Sequence, residues 1–248
     1  MKIVADLHVH TVASGHAYST VLENVRAAAD SGLELIAITD HGPSMQGGPH
    51  VYHFSNLRVL PRSMFGVEIL RGIEANIIDT DGAIDLPERF QKYMDIVLAG
   101  FHAECFRPAS VEENTRAMVG AIAGGQVDVI VHPGNPAFLI DPETVARAAA
   151  ENNVALEINN TSLQGAVRKG SRENCSEIAA WVAKSGGKIS IGSDAHFATQ
   201  VGELSGAVDL ALKAGIKPEQ VLNTSPDLVN KFLRDRGRRT KIQPTPVV

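Results

Sequence analysis

Ile3-Val4-Ala5-Asp6-Leu7-His8-Val9-His10-Thr11 decides the fold. A short apolar run passes without a break into an acid and two histidines spaced two apart. In a strand that spacing puts both side chains on one face, so His8 and His10 project together where the run closes. The same arrangement recurs along the chain. Thr39-Asp40-His41 follows the run at 33–38, and His102 follows the run at 96–101. Val131-His132-Pro133 closes the run at 127–131, and Ser193-Asp194-Ala195-His196 follows the run at 189–191. The run at 68–73 ends on a carboxylate, Glu74, and the run at 154–158 leads into Asn159 and Asn160. Seven β-branched apolar runs separated by helical patterns predict βα units and a parallel sheet. With 248 residues the chain has the length of one α/β barrel, about 250 residues. In such a barrel all strand ends meet on one face, so histidines scattered along the chain converge at its mouth.

The helices carry their own punctuation. Thr20 with Glu23, and Ser110 with Glu113, read as capping boxes; the helices they open end near Gly32 and at Gly124-Gly125. Asp141-Pro142 and Ser225-Pro226 each place a cap residue before a proline at the first helical position. Gly186, Gly215 and Gly237 fall where helix ends are expected. No linker or composition break divides the chain, which predicts a single domain over 1–248 with a C-terminal tail at about 237–248. Two segments break the rhythm. Residues 42–66 form a long connection of the kind that serves as a lid or binding loop. The end from Arg234, with Arg236, Arg238, Arg239 and Lys241, reads as a solvated, charged terminus.

Composition excludes several classes. Two cysteines, Cys105 and Cys175, make no disulfide framework and fit a reducing, cytoplasmic setting. No signal peptide is visible, and no apolar run approaches the roughly 20 residues of a membrane span. The net charge of −5 and the 5% aromatic content argue against long DNA or RNA as partner.

Of nine histidines, six lie just past the end of an apolar run, and a seventh, His16, lies in the first βα connection. A lone histidine is more often a satisfied polar residue than a ligand; the repetition at strand ends is what points to metal. Imidazole and carboxylate donors without thiolate suit Zn, Mn or Fe rather than a cysteine-rich structural zinc. His8, His10, His16, His41, Glu74, His102, His132, Asp194 and His196 make nine candidate ligands. A catalytic zinc takes about three protein ligands plus water, so nine suit three metals better than one, with Glu74 as a possible bridge.

These residues resemble the PHP superfamily, named for polymerase and histidinol phosphatase proteins. The likeness rests on Asp6-Leu7-His8-Val9-His10, His16, Thr39-Asp40-His41, Gly72-Ile73-Glu74, His102, His132-Pro133 and Gly192-Ser193-Asp194-Ala195-His196, and is strongest to the small YcdX-type phosphatases. The resemblance implies a distorted parallel (β/α)7 barrel and a trinuclear zinc site. It implies His8, His10, Glu74 and Asp194 around one zinc, Glu74, His102 and His132 around a second, and His16, His41 and His196 around a third. It also implies hydrolysis of small phosphomonoesters by attack of a zinc-bridging hydroxide, with Glu74 and Asp194 as its catalytic, bridging and positioning carboxylates, and a homotrimer. Metal-assisted phosphoryl transfer needs mostly positioning and charge neutralisation, so neither Ser193 nor Cys105 is needed as a nucleophile.

Around the ligands, Asp6 and Asp40 are candidates to hold the ring N–H of a metal histidine, the alternative being loop amides. Glu157, Asn159 and Asn160 offer the same choice. His50 and His53 read as polar lid residues or as a proton donor or phosphate contact, and Arg58, Arg62, Arg168 and Lys169 as candidate phosphate holders. Trp181 and the stripe at 178–182 read as helix core. Three rival functions are a PHP-type nuclease or phosphodiesterase on short oligonucleotides, an amidohydrolase-type metal hydrolase, and a metal-storing protein without turnover.

Overall fold

The computed structural model describes residues 1–165 and 167–238. Its strands are β1 (Ala5–Val9), β2 (Leu35–Ile38), β3 (Ser63–Met64), β4 (Val67–Asn76), β5 (Ile96–Gly100), β6 (Val129–Ile130), β7 (Ala155–Asn159) and β8 (Lys188–Gly192). Its α-helices are α1 (Val21–Asp30), α2 (Val51–Asn56), α3 (Glu88–Gln91), α4 (Val111–Ala123), α5 (Pro142–Glu151), α6 (Asn160–Leu163), α7 (Ser171–Ser185), α8 (Ser205–Lys213) and α9 (Pro226–Asp235). The order β1-β2-β4-β5-β6-β7-β8 is parallel throughout and forms a nearly closed barrel of seven strands, with β3 antiparallel on β4. The capping boxes at Thr20 and Ser110 and the caps at Asp141 and Ser225 form as the sequence predicts.

Alternation along the strands sorts the barrel into an apolar floor and a polar mouth. Ala5, Leu7, Leu35, Ala37, Leu70, Ile96, Leu98, Val129, Val131 and Ala155 share one inner cluster, closed from below by Leu222 and by Val229, Phe232 and Leu233 of α9. Their neighbours, such as Val97, Ala99, Ile189 and Ile191, pack outward against the helices. Higher in the barrel the inner positions turn polar: Glu74 follows Leu70 and Gly72, and Glu157 and Asn159 follow Ala155. Gly72 is needed where β4 passes from pairing β2 to pairing β5, because a Cβ there would sit 2.8 Å from both Ile96 and Thr39 side chains.

Strand β1 obeys this alternation only through a bulge. Its register against β2 shifts between Asp6 and Val9, where the Thr39 hydroxyl accepts from the Val9 amide at 3.1 Å. Leu7 belongs to the inner cluster while Val9 packs outward with Val25 and Ala28 of α1. The extra residue resets the phase, so His8 and His10 face the mouth although Ala5 and Leu7 line the floor.

Between β8 and β1 the ladder is incomplete and one side chain spans the gap. The Asn223 amide nitrogen donates to the carbonyls of Ala5 (2.9 Å) and Ile191 (2.7 Å), and its oxygen accepts from Ile191 N–H (2.7 Å). The Asn223 carbonyl accepts from Val4 N–H at 2.9 Å. Above it the seam is stitched by Asp194 N–H to the His8 carbonyl and His10 N–H to the Ala195 carbonyl, each 2.9 Å.

Two expectations change. Segment 42–66 is an ordered insert holding α2, a 3-10 turn at Leu57–Val59 and β3, with Phe54 and Leu57 buried in the core. Its front is locked to the first loop: a Cβ on Gly15 would stand 2.5 Å from the Gly47 carbonyl oxygen, and both glycines have positive φ. The C-terminal end is not a solvated tail at Arg236 and Arg238. Both guanidinium Nε atoms reach the buried carboxylate of Asp128 at 2.8 Å, and Arg236 also donates to the Asn152 and Val127 carbonyls. Arg239 and Lys241 lie outside the described residues. Trp181 is half-buried against the core with the Lys184 ammonium 4.2 Å from its ring centroid, while Ile178, Ala179 and Val182 are buried as predicted.

Candidate metal centre

At the barrel mouth His8, His10, His41, His102 and His132 surround Glu74, which is fully buried on β4, with Asp194 and His196 beside His10, while His16 meets only the His41 and His196 rings among them. One Glu74 oxygen, Oε2, lies 3.4 Å from both His8 Nε2 and His10 Nε2 and 2.6 Å from His41 Nδ1. The other, Oε1, lies 2.8 Å from His132 Nε2 and 3.1 Å from His102 Nε2. Asp194 Oδ1 lies 3.2 Å from His10 Nε2 and 3.7 Å from His8 Nε2, and those two nitrogens are 3.1 Å apart. His16 stacks on His41 and His196 with centroids 4.9 and 4.8 Å apart, at the exposed rim. Three groups have their donor atoms within 4.8 Å of one another: His8, His10 and Asp194; His41, Glu74 and His102; and His10, His41 and His196. They overlap the sets that the resemblance implies, with His10 and His41 each serving two groups.

Such a cage is electrostatically poised for a cation. Burial alone would raise the Glu74 carboxyl, but His41, His102 and His8 override it and hold it well below the usual carboxylate range. Burial is likewise outweighed at Asp194, by His8 and Arg168. Burial and His41 push His10 down to about 3, and burial and Arg168 push His132 down to about 4, whereas the carboxylates override burial at His8 and His41 and hold both rings above the ordinary imidazole value. Glu74 Oε2, His41 Nδ1 and both ring nitrogens of His102 are buried, and the contacts of His41 (2.6 Å) and His102 (3.1 Å) with the Glu74 carboxylate do not have hydrogen-bond geometry. Unpaired buried polar atoms are costly. Imidazole and carboxylate donors converging with open valences fit divalent metal, and the absence of cysteine at the cage fits zinc, manganese or iron. Two of the candidate ligands, His132 and Asp194, hold left-handed backbone, φ 36° and 57°, the kind of local strain that surrounding structure must sustain.

Behind the ligands, specific groups hold the rings. Glu157 Oε1 accepts from His8 Nδ1 at 2.8 Å, and its Oε2 accepts from His132 N–H at 2.8 Å and from the Asn159 amide at 3.1 Å. Asp40 reaches His10 through Ser14: the Ser14 hydroxyl accepts from His10 Nδ1 (3.0 Å) and donates to Asp40 Oδ1 (2.7 Å). Asp6 takes the alternative role, accepting amides of His8, Ser193 and Gly202 with no contact to a ligand ring. Asn159 bridges Glu157 and Asp194, while Asn160 accepts from Ala207 N–H and serves the scaffold. Ser14 was not legible as a partner of His10. Its only sequence signal is the spacing of four residues across the first loop.

Arg168 alone of the four basic candidates reaches the centre, donating to Asp194 Oδ2 (2.9 Å) and the Ser162 hydroxyl (3.0 Å). Arg62 pairs with Asp95, just before β5 at the opposite end of the barrel, and Arg58 and Lys169 are exposed outside the cavity lining. His50 caps α2, and His53 Nε2 lies 3.2 Å from Asp40 Oδ2. Ser193 is spent on the backbone at the seam, and burial with Asp85 and Glu104 pushes the Cys105 thiol up to about 11, unsuited to nucleophilic attack. Over the candidate ligands opens a cavity of about 670 Å³, lined by His16, His41, His102, Arg168, Asp194 and His196 together with Met45, Phe101, Phe138 and Val167. Among the described residues, no helix is long and apolar enough to cross a membrane.

Comparison with known proteins agrees with this geometry. The PHP domain model matches residues 6–161. A probable phosphatase of Caldanaerobacter subterraneus subsp. tengcongensis is 49% identical over 240 residues, 96% of this chain and 94% of that protein. A probable phosphatase of Shewanella halifaxensis is 51% identical over 237 residues, 96% of this chain and 95% of its own. Among solved structures, histidinol phosphate phosphatase from Lactococcus lactis, complexed with zinc, L-histidinol and phosphate, superposes with a TM-score of 0.55. It is 17% identical and the match covers 86% of this chain and 94% of that one, a likeness of fold.

Proposed function

The chain belongs to the PHP domain family, and from that premise we propose that it hydrolyses small phosphomonoesters at a centre of three divalent metals, zinc foremost. Phosphoric ester hydrolysis is the activity named for relatives at 49% and 51% identity along nearly the whole chain. The observation that carries the metal reading is Glu74, with both carboxylate oxygens crowded by imidazole nitrogens, of which His41 Nδ1 and His102 Nε2 meet it without hydrogen-bond geometry. His8, His10, Glu74 and Asp194 would hold one ion, Glu74, His102 and His132 a second, and His16, His41 and His196 a third. When bound, such ions supply charge neutralisation for the phosphoryl group and lower the pKa of water enough to give a nucleophile at neutral pH.

The remaining work falls to the chain itself. Glu157 fixes the His8 ring, and Ser14 with Asp40 fixes the His10 ring, so the donors are oriented before substrate arrives. Arg168 is anchored by Asp194 and Ser162 with other guanidinium N–H groups left for a phosphoryl oxygen, a geometry that suits bidentate recognition. One cation in the cavity lining suits one phosphate, and the apolar wall of Met45, Phe101, Phe138 and Val167 excludes water and receives the leaving group. An acidic chain gains no counterion-release affinity for a polyanion, which favours a small ester over a nucleic acid.

Metal analysis and a substrate panel on one preparation test this reading. About three metals per saturated chain are expected, with turnover of a chromogenic monoester above that of a diester, a 3′-phosphorylated oligonucleotide and plasmid DNA. Glu74→Gln should lose more metal than any single histidine variant. One metal or fewer would end the trinuclear reading, and salt-sensitive cleavage of nucleic acid with negligible monoester turnover would transfer the assignment to a nuclease.

A further inference from the structure

We propose that His53 is a positioning residue of the metal centre, acting through Asp40 and Ser14 on His10 and His41. It rests on reading those two histidines as metal ligands. His53 stands on α2, well away from any strand end, and touches none of the nine candidate ligands; its Nε2 lies 3.2 Å from Asp40 Oδ2. Asp40 is buried and receives four further hydrogen bonds. The Thr11 amide donates at 2.7 Å, the Thr11 hydroxyl reaches both oxygens at 3.0 and 2.9 Å, and the Ser14 hydroxyl donates at 2.7 Å. Ser14 is the junction: its oxygen accepts from the His10 ring (3.0 Å) and from the His41 backbone amide (3.2 Å). A side chain from the long insert is thus connected through one carboxylate and one hydroxyl to two ligands on different strands.

Helix α2 does not need His53 in order to stay in place. Phe54 is 0% exposed and Leu57 is 5% exposed, so the insert is held by its own apolar anchors, while the His53 side chain remains 27% exposed. The anchors deliver His53 to Asp40. Without its donor, Oδ2 of a buried carboxylate keeps only the Thr11 hydroxyl, and an under-satisfied buried oxygen is costly. Asp40 relieves that by turning, and Ser14 turns with it. The His10 ring then loses its fixed orientation, and outer groups that orient metal histidines are worth about 10–100-fold in metal affinity.

The test uses the full zinc-loaded chain and zinc alone, followed by competition with a coloured chelator, with melting of the metal-free protein as the measure of folding. His53→Phe, which keeps an aromatic body and removes the donor, is expected to reach the same metal content at saturation and to give up zinc at about tenfold lower chelator concentration. His53→Gln keeps an N–H donor and should restore affinity to near that of the native chain. His50→Ala, on the same helix but out of reach of Asp40, should bind zinc as the native chain does. Melting of the metal-free His53 variants should stay close to that of the native chain, and His50→Ala should melt slightly lower through loss of the α2 cap. His53→Phe holding zinc as tightly as the native chain would overturn the proposal, as would His53→Gln or His50→Ala failing to the same degree. The readout contains no ester, so tight zinc without turnover would remove only the phosphatase reading, whereas a native chain that binds no zinc would remove both.

Discussion

Glu157 serves two candidate ligands from one carboxylate, taking the His8 ring on Oε1 and the His132 amide on Oε2. Glu157→Gln must present an N–H to one of those donors, so one contact becomes a repulsion inside the barrel. A loss of about 10–100-fold in metal affinity is expected, with kcat falling alongside it; chelator competition and steady-state rates measure both. Retention of native affinity would show that His8 is held by its strand alone. At this scale the ligands were readable and their supports only partly so. His8, His41, His102 and His132 sit at strand ends that apolar periodicity exposes, which is why the cage could be drawn from the chain. Glu157 was a candidate because it ends a strand facing the mouth. Ser14 carried no signal beyond its spacing of four from His10, since a loop serine joins Asp40 to His10 only after the first two strands have paired. Arg168 could not be told from Arg62 by composition: one reaches Asp194 and the other pairs at the far end of the barrel.

At the level of elements, the lower part of the seam between β8 and β1 is bridged by the side-chain amide of Asn223. Asn223→Ala would remove three buried side-chain hydrogen bonds and strand the Ala5 carbonyl and both polar groups of Ile191. A cost of about 3 kcal/mol is expected, seen as a fall in melting temperature of about 6–12 °C for a chain of this size. A change under about 2 °C would mean that the strands close unaided. The seven parallel strands were legible because each is a β-branched run between helix signals. Their limits were not, and the reasons are local. Strand β4 extends to Asn76 because β5 pairs with it through Asn76, while Asp40, His41 and Gly42 continue the other edge as far as Glu74. Strand β1 sits two residues later than its apolar run because of the bulge, and β3 is two residues long, too short for periodicity to mark.

Across the whole molecule, the two ends of the barrel are held by opposite kinds of interaction. The mouth concentrates ligands with open valences, while the floor is packed by α9 and tied by Arg236 and Arg238 to Asp128. A chain cut after Asp235 keeps α9 and loses both guanidinium groups, leaving Asp128 charged and 0% exposed. About 3–5 kcal/mol of destabilisation is expected from breaking such a buried pair, read by denaturant unfolding, and Asp128→Asn in the shortened chain should recover part of it. Equal stability of full and shortened chains would return the arginines to the role of a solvated end. The seam has a consequence for how the protein is made. His8 and His10 leave the ribosome among the first residues, whereas Asp194 and His196 follow only after almost all of the barrel, a delay of roughly 10–40 s at typical elongation rates. The nascent chain therefore holds its first imidazoles for most of translation with no partner strand to complete their cage. On the proposed metal reading, the complete cage is open to a metal only after synthesis, when the last strand docks on the first.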